Sequence, residues 1–294
     1  MARGPPAPGT VSSRKTDGGA GKGPGKNVGG TEAEEVPSGP RMYNYLLGGD
    51  ANYDWDRNLA GTLMRENPGL RHLARVNRDF VLKAVGWCAA PPPGASTSVG
   101  QFIDLGCGLP MTPSVHQTAR ESRAGARVAY VDRDPLVIAH LRNAAIEENW
   151  GDRIVLLEAD ACDPGKVLAD EGLTAVIDLD QPVAIVLGGT LSSMDAATAA
   201  ATVAGYMDAL APGSAAVISC VSYRNTQVGD RMASLFAPAG KWHNHAVLDI
   251  RGFFDAAGLR LLRGHVSDLR CWPLTPDRTG ESAVIGGVGV KDLA

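Results

Sequence analysis

The 294-residue sequence lacks several features that mark other classes of protein. It contains no run of about 18 consecutive apolar residues, so it predicts no membrane span. The first residues, Met-Ala-Arg-Gly-Pro-Pro, do not form the apolar stretch of a secretory signal. The formal net charge is −4, which gives no reason to expect a general nucleic-acid binder.

Cysteine is too sparse and too scattered to form a structural framework. The five residues Cys88, Cys107, Cys162, Cys220 and Cys271 are odd in number and include no Cys-x-x-Cys pair. This pattern argues against a disulfide framework and against a zinc site, so we predict no bound metal. It is typical of a reducing compartment, and we expect the protein to be cytoplasmic.

Aromatic residues are few, whereas glycine is abundant and unevenly placed. The chain has five Phe, five Trp and six Tyr against 36 Gly, and residues 1–40 hold ten of the glycines and six of the 19 prolines. Only four bulky apolar residues occur in that stretch, too few to offset the entropy lost on ordering it. We therefore expect a disordered tail over residues 1–36, and a folded part of roughly 250 residues that can form one α/β domain.

The rest of the chain divides into a helical part and an alternating part. Three successive stretches with helical spacing predict an N-terminal helical cap over residues 37–98. These stretches are 41–47, a helix from Asp54 or Asp56 to about Asn67, and Leu70–Ala89. Over residues 99–294, short apolar runs alternate with helical patterns. Such alternation predicts a Rossmann-like α/β core, a sheet of about seven mainly parallel strands with helices on both faces.

The boundaries of these elements follow from the hydrophobic runs and their turn residues. The predicted strands are Gln101–Leu105, Arg127–Val131, Ile154–Glu158, Val183–Leu187, Ala215–Val221, Leu259–His265 and Ala283–Val290. The predicted helices between them are Pro113–Arg123, Pro135–Glu148, Lys166–Glu171, Asp195–Leu210 and Val247–Ala257. A sheet of this kind binds ligands at the carboxyl ends of its strands, so the loops after the first four strands are the place to look for a site.

A glycine loop follows the first predicted strand. The sequence Asp104-Leu-Gly106-Cys-Gly108 places two glycines two positions apart, which lets the backbone turn sharply and approach a ligand closely. A dinucleotide-binding loop needs a third glycine three positions later, where this chain has Met111. Asp104 would also repel a pyrophosphate and instead suits a cationic or amino-bearing ligand. These two residues disfavour a nicotinamide-dependent oxidoreductase.

The next two strands also end in acidic residues. Asp132 follows the second strand, where a carboxylate can accept hydrogen bonds from ribose hydroxyls. Asp160, beside Ala161, follows the third strand, where it can accept a hydrogen bond from an adenine amino group. Each acid taken alone is equally consistent with a helix cap or a solvated loop charge. Together with the glycine loop, the three acids indicate an adenosyl ligand without phosphate.

These motifs resemble the binding signature of class I S-adenosylmethionine-dependent methyltransferases. The N-terminal segment is similar to that of an actinobacterial-type methyltransferase family, whose pattern is Pro-Ser-x-x-Arg-x-Tyr-x-Tyr-Leu-Leu-Gly-Gly. Pro37-Ser38, Arg41, Tyr43 and residues 45–49 match this pattern. The resemblance spans about residues 37–275 and implies a class I methyltransferase sheet with S-adenosyl-L-methionine as the cofactor.

The resemblance also implies roles for the matched positions. The implied cofactor-binding residues are Tyr43, Tyr45, Gly48, Asp104, Gly106, Gly108, Asp132, Asp160 and Ala161. Asp104 and the glycine-loop backbone would hold the methionine end of the cofactor, and Asp132 would hold the ribose. Asp160 and Ala161 would hold the adenine. The segment 41–57 would fold over the bound cofactor.

Methyl transfer from a sulfonium is an in-line displacement with a neutral leaving group. Alignment of the acceptor and exclusion of water therefore contribute most of the catalysis. A base is needed only if the acceptor must lose a proton. The candidates for that base are His243, His245 and Tyr53, with His116 a further one for which a structural role is at least as well supported.

The sequence also narrows the class of acceptor. After the fourth strand it reads Gly188-Gly-Thr-Leu191, whereas DNA amino-methyltransferases have Asn/Asp-Pro-Pro-Tyr/Phe at this position. We expect a small-molecule acceptor and no nucleic-acid or membrane partner. The resemblance to methyltransferases that serve natural-product pathways implies a natural product, such as an aromatic or indole-containing tryptophan-derived cyclic dipeptide. The alternative is a non-catalytic adenosyl-binding regulatory protein on the same fold. The sequence leaves the oligomeric state open, with a homodimer as one option.

Overall fold

The structure, a computed structural model, describes residues 1, 4, 36–91, 98–273 and 281–293. The tail expected over residues 1–36 lies outside these residues except at positions 1, 4 and 36. Within the described part of the chain, no helix has the length and the apolar character needed to cross a membrane.

Three helices precede the first strand, as the helical spacing predicts. They are α1 (Gly39–Leu47), α2 (Asp54–Glu66) and α3 (Leu70–Ala89). Helix α1 ends at Gly48, which has a left-handed φ of 92° and donates its N–H to the carbonyls of the last turn. Helix α3 presents an apolar face to β4, β5 and β8, which are defined below.

The described residues form a mixed sheet of eight strands. The strands are β1 (Gln101–Leu105), β2 (Arg127–Asp132), β3 (Ile154–Glu158), β4 (Ala184–Gly188), β5 (Ala215–Tyr223), β6 (Arg260–Leu261), β7 (Ser267–Asp268) and β8 (Ser282–Val290). Their order is β3-β2-β1-β4-β5-β8-β6, with β7 also paired to β8. Strands β1 to β5 are parallel to one another, and β8 runs antiparallel to β5. This confirms the predicted α/β class and the class I methyltransferase sheet.

The sixth predicted strand, Leu259–His265, is wrong in length. Only Arg260–Leu261 pairs with β8, because the chain then turns at Gly264, whose N–H donates to Leu261 O at 3.0 Å with φ 73°. The apolar run continued past the last residue that can pair, so hydrophobicity alone could not show where the strand ends.

Seven further helices cover the sheet in the described residues. They are α4 (Val115–Ser122), α5 (Pro135–Glu147), α6 (Pro164–Leu168), α7 (Glu171–Val176), α8 (Ala196–Ala209), α9 (Thr226–Phe236) and α10 (Val247–Ala256). The single helix predicted over Lys166–Glu171 is replaced by α6 and α7, each begun by its own aspartate cap, Asp163 and Asp170. Helix α9 was not predicted.

Alternate residues of the strands point to opposite faces of the sheet. Ile103, Ile185 and Ile218 pack in one apolar cluster with residues of α8 and α10. Phe102 and Val186 pack in the other, with residues of α3, α4 and α5. Both faces are therefore covered, and the carboxyl ends of the parallel strands are left as the edge where a ligand can enter.

Candidate active site

A cavity of about 360 Å³ lies at the carboxyl ends of the parallel strands. Its polar end is formed where β1, β2 and β3 finish, and its apolar end is formed by α1, α2, α9 and the end of β5. The polar end comprises Gly106, Gly108, Asp132, Arg133, Asp160 and Ala161. The apolar end comprises Met42, Leu63, Tyr223, Met232, Phe236 and Trp242. The strand order separates these two ends, because β3 and β5 lie on opposite sides of β1.

The glycine loop is fitted tightly against the chain that follows β4. Gly106 and Gly108 have φ values of 67° and 68°, which glycine adopts far more readily than other residues. A Cβ at Gly106 would lie only 2.6 Å from Thr190 Cγ2. The Thr190 hydroxyl donates to Leu105 O at 2.7 Å and so fixes this loop to the end of β1.

Asp132 binds the glycine loop and still faces the cavity. Its Oδ2 accepts the N–H of Gly108 at 2.9 Å, and its Oδ1 accepts the N–H of Asp134 at 3.0 Å. Burial raises the pKa of Asp132, although these two backbone donors oppose the rise. Each carboxylate oxygen has a further lone pair, so the pair of oxygens can accept bonds from two neighbouring hydroxyls.

Asp104 is a buried carboxylate without a hydrogen-bond partner among the described residues. It is 7% exposed and does not belong to the cavity wall. Burial raises the pKa of Asp104 to about 7, the charge of Asp132 adds to the rise, and Arg78 opposes it. A positively charged amino group nearby would stabilise the ionised form.

Asp160 and Ala161 are both held by neighbouring side chains or backbone. Asp160 Oδ1 accepts the N–H of Cys162 at 2.9 Å, and Arg133 lies 3.6 Å from Oδ2. Partial burial acts to raise the pKa of Asp160, but the bonds from Cys162 and the charge of Arg133 outweigh it and lower the pKa. The Tyr206 hydroxyl donates to Ala161 O at 3.1 Å. Asp160 is thus an ionised acceptor at the polar end.

Only one of the four expected residues in the N-terminal segment reaches the cavity. Tyr43 lines it, whereas Tyr45, Gly48 and Tyr53 do not. The Tyr45 ring lies under the Arg71 guanidinium at 4.5 Å, and Gly48 forms the end of α1. Tyr53 begins α2 and lies under Arg41 at 5.2 Å. The contacts of these three residues hold the segment itself together.

A buried polar network fixes the N-terminal segment over the cavity. Asp56 is fully buried, and its carboxylate accepts Arg41 Nε at 2.8 Å and the N–H groups of Ser38 and Tyr53 at 2.8 and 2.9 Å. Arg41 also donates to Val36 O. Ser38 and Arg41 belong to the N-terminal pattern quoted above, and the structure shows that the network joins the start of α1 to the start of α2.

The structure places the candidate bases His243 and His245 outside the cavity wall. The His243 N–H donates to Ser192 O at 2.7 Å, and its ring faces the His245 ring. His245 is buried, with Nε2 3.0 Å from Leu191 O and its ring edge-on to Phe253. The neighbouring Trp242 lines the cavity instead. The loop is therefore at the site, but its two histidines hold it in place.

His116 is a structural residue by its contacts. Its Nδ1 is 2.9 Å from both the Ser114 hydroxyl and the Tyr130 hydroxyl, and its ring packs on Trp150. Burial lowers the pKa of His116 to about 4. His116 does not line the cavity.

Asn77 is a cavity residue to which sequence reasoning assigned no role. It lies on α3, is 5% exposed, and hydrogen-bonds to Tyr43, Gly188 and Ser219. The signal was present in the pattern of α3, because Asn77 occupies a position of the apolar stripe, between Val76 and Phe80. A polar residue at a buried helix position needs hydrogen-bond partners, and here they belong to the site.

The polar end fits the S-adenosylmethionine that the resemblance implies. The backbone at Gly108 borders open space, since a Cβ there would meet nothing within 4 Å, and Asp132 offers two oxygens beside it. Asp132 would hold the ribose hydroxyls, and Asp160 with Ala161 the adenine, whereas Asp104, to which the resemblance assigns the methionine end, lies outside the cavity wall. These acceptors match an adenosyl group.

Comparisons with known proteins identify the family of the chain. The model of the S-adenosyl methyltransferase family matches residues 31–292. The chain is similar to a candidate methyltransferase from Thermobifida fusca YX, with 30% identity and a TM-score of 0.77 over 87% of this chain and 96% of that one. It is also similar to a DUF574 family protein from Streptomyces avermitilis MA-4680, with 26% identity and a TM-score of 0.77 over 88% and 98% of the two chains. A search of curated proteins found no match. The chain thus belongs to the S-adenosyl methyltransferase family and is an S-adenosylmethionine-dependent methyltransferase.

Proposed function

We propose that the methyl acceptor is a small, largely apolar molecule, a natural product with an aromatic or indole ring such as a tryptophan-derived cyclic dipeptide. The observation that carries the proposal is the apolar end of the cavity, which continues directly from the cofactor end. Cavities of a few hundred Å³ that are apolar with a few polar groups are typical sites for small ligands.

The side chains at the apolar end suit a flat ring. Tyr223 and Trp242 meet edge-to-face with ring centroids 5.8 Å apart, and Met232 and Phe236 pack in the same cluster. Aromatic walls favour offset or edge contacts with another ring, and methionine adapts to irregular shapes. Tyr223 is held by the Asn67 amide, which donates to its hydroxyl at 2.8 Å.

In the reaction, the chain aligns two reactants and keeps water away. The bound cofactor supplies an electrophilic methyl group with a neutral leaving group. Helices α1 and α9 cover the acceptor end with apolar side chains such as Met42 and Met232, which exclude water from the approach of the nucleophile. The polar network around Asp56 fixes α1 over this space. The wall against which the acceptor packs therefore keeps one position, which favours one orientation of the acceptor.

The test is turnover with radiolabelled S-adenosylmethionine against a panel of acceptors. The panel contains tryptophan-derived cyclic dipeptides, simple indoles and phenols, and a short DNA duplex and a basic peptide as comparators. We expect transfer to aromatic small molecules and none to DNA or peptide. Transfer to DNA or peptide, with none to the small molecules, would overturn the proposal.

A pair of tryptophan variants ties the result to the cavity. Trp242→Ala is expected to raise KM for the acceptor about tenfold, because a buried aromatic contact is lost. Trp87→Ala is the matched control, since Trp87 is also half-buried but lies outside the cavity. Equal effects of the two changes on KM would show that Trp242 acts only through stability.

A further inference from the structure

The Asn77 amide has a fixed orientation at the point where the two ends of the cavity meet. Its Nδ2 donates to the Tyr43 hydroxyl at 2.9 Å and to Gly188 O at 3.4 Å. Its Oδ1 accepts the Ser219 hydroxyl at 2.5 Å. A flipped amide would place its oxygen against the Gly188 carbonyl and its NH₂ against a hydroxyl that now donates, so the observed orientation is the satisfied one.

These hydrogen bonds join four elements of the fold. Asn77 lies on α3, Tyr43 on α1, Gly188 at the end of β4 and Ser219 within β5. Two residues after Gly188, Thr190 bonds to the end of β1 and contacts the glycine loop. The amide therefore links the helix that covers the acceptor end to the loop at the cofactor end.

The Tyr43 hydroxyl donates its proton within the protein and has one lone pair that no hydrogen bond among the described residues uses. It donates to Ala74 O at 3.2 Å and accepts from Asn77. Burial raises the pKa of Tyr43, although the bond from Asn77 opposes the rise, so the phenol keeps its proton at neutral pH. A phenolic oxygen has two lone pairs, and only one is used here. Tyr43 lines the cavity, so a ligand that reaches its oxygen can use the other.

We propose that Asn77 is a positioning residue that holds the Tyr43 oxygen towards the positively charged sulfonium of bound S-adenosylmethionine. The donor sulfur and the acceptor must meet between the two ends of the cavity. Asn77 bonds to Gly188 at the end of β4, and β4 lies between β1 at the polar end and β5 at the apolar end. A sulfonium has no N–H or O–H to donate, so the attraction of the oxygen is electrostatic and adds to weak C–H···O contacts from the carbons bonded to the sulfur. The inference is independent of which acceptor molecule the enzyme uses.

The test compares S-adenosylmethionine with S-adenosylhomocysteine, which lacks the methyl group and the positive charge. Binding of both to the cofactor-free full chain is measured by isothermal titration calorimetry. Tyr43→Phe keeps the ring and removes only the oxygen. We expect it to weaken S-adenosylmethionine binding about tenfold and S-adenosylhomocysteine binding less than about twofold. Tyr130→Phe is the matched control, since its hydroxyl bonds to His116 outside the cavity, and it should leave the ratio of the two affinities unchanged.

The Asn77 variants test whether this residue acts through Tyr43. Asn77→Ala should cause the same selective loss, and the double variant Asn77→Ala/Tyr43→Phe should lose no more than either single variant. Ser219→Ala, which removes only the hydroxyl that orients the amide, should cause a smaller selective loss and covers the case in which Asn77→Ala does not fold.

Three results would overturn the proposal. Equal weakening of both ligands by Tyr43→Phe would show a purely structural role, and no weakening of either would show that the oxygen makes no contact. Additive losses in the double variant would show that Asn77 does not act through Tyr43. Failure of the unmodified protein to bind either ligand would instead count against the cofactor site itself.

Discussion

The N-terminal segment and the central sheet form opposite sides of the same cavity, but they are stabilised by different interactions. Residues 36–57 are joined by directional hydrogen bonds centred on the buried pair Arg41 and Asp56, which are 4% and 0% exposed. The sheet is held by apolar side chains on both faces, such as Phe102 and Ile185, which are fully buried. The hydrogen bonds fix the orientation of the N-terminal segment, and the apolar side chains fill the space on both faces of the sheet.

This difference explains how one chain provides both a stable frame and an ordered cover for the cavity. Apolar packing tolerates changes of shape when volume is kept. A buried charge pair tolerates little, because each partner becomes an uncompensated charge when the other is removed. We therefore expect conservative substitutions to cost little stability in the sheet and much more in the N-terminal segment.

Asp56→Ala is expected to have the largest effect. It leaves Arg41 buried without its carboxylate and two N–H groups without an acceptor, which should lower the free energy of unfolding by about 3–5 kcal/mol. Urea unfolding followed by circular dichroism measures this. The control is Asp255→Ala, which removes the partner of Arg251 in an exposed pair and should cost less than about 1 kcal/mol. Equal losses would contradict the importance of burial.

Asp104→Asn tests the buried carboxylate on the sheet side, which has no partner. Its pKa of about 7 in the folded state lies above the ordinary value of 3.8, so folding favours the protonated form. The stability from this group is present below about pH 4 and is lost as the pH rises through 7. At pH 8 the cofactor-free variant should be more stable than the unmodified protein by roughly 2–4 kcal/mol, and at pH 4 the two should be nearly equal.

Urea titrations at several pH values measure this difference. Asp152→Asn, at an exposed position, is the control and should show the same pH profile as the unmodified protein. If Asp104→Asn were less stable than the unmodified protein at pH 8, the Asp104 carboxylate would have a stabilising partner in the free protein.

Substitutions at the two glycines of the loop, Gly106 and Gly108, distinguish the cost of backbone strain from the cost of a steric clash. Both have positive φ, but a Cβ at Gly106 meets Thr190 at 2.6 Å whereas one at Gly108 meets nothing within 4 Å. Gly108→Ala should cost about 1 kcal/mol from strain alone, and Gly106→Ala about 2–3 kcal/mol with the added clash. Thermal unfolding and binding of S-adenosylhomocysteine report the two losses. A larger effect at Gly108 would mean that the Thr190 side chain moves away at little cost.

Ile185→Val in β4 should have the smallest effect. It removes one methylene from a fully buried position, with an expected cost of about 1 kcal/mol in unfolding free energy and no change in cofactor affinity. Asp56→Asn is the comparison, since it is at least as conservative in size but removes a buried charge. If Ile185→Val proved the more damaging of the two, the contrast between the regions would be reversed.

Sequence periodicity predicted most of the frame because short-range patterns determine it. The strands β1 to β5 and β8 were predicted with ends within two residues, since each is a short apolar run bounded by turn residues or acids. Helix α3 was predicted at Leu70–Ala89 and is observed there. Helix α9 was missed although Val228, Met232, Leu235 and Phe236 recur at helical spacing and pack on one face.

Most of the predicted residues that line the cavity are those placed by their position along a strand, and Tyr43 was implied by the resemblance. Gly106, Gly108, Asp132, Asp160 and Ala161 line the cavity because strand ends converge at one edge of a parallel sheet. The contacts of His245 were not predictable, since they depend on Leu191, which is distant in the sequence. The same holds for Asn77, whose partner Ser219 lies 142 residues later in the chain.

The sequence by itself thus determined the α/β class, the helices before the first strand and the acidic residues at the strand ends, because each is encoded in local spacing and residue type. Only the tertiary structure decided which side chains line the cavity. Tyr43 is turned into it while Tyr45 is turned to Arg71, and Trp242 reaches it while His243 does not. The physical reason is that the surroundings of a side chain depend on contacts between separate elements. Examples are the packing of α1 against α3 and the ion pair between Asp56 and Arg41.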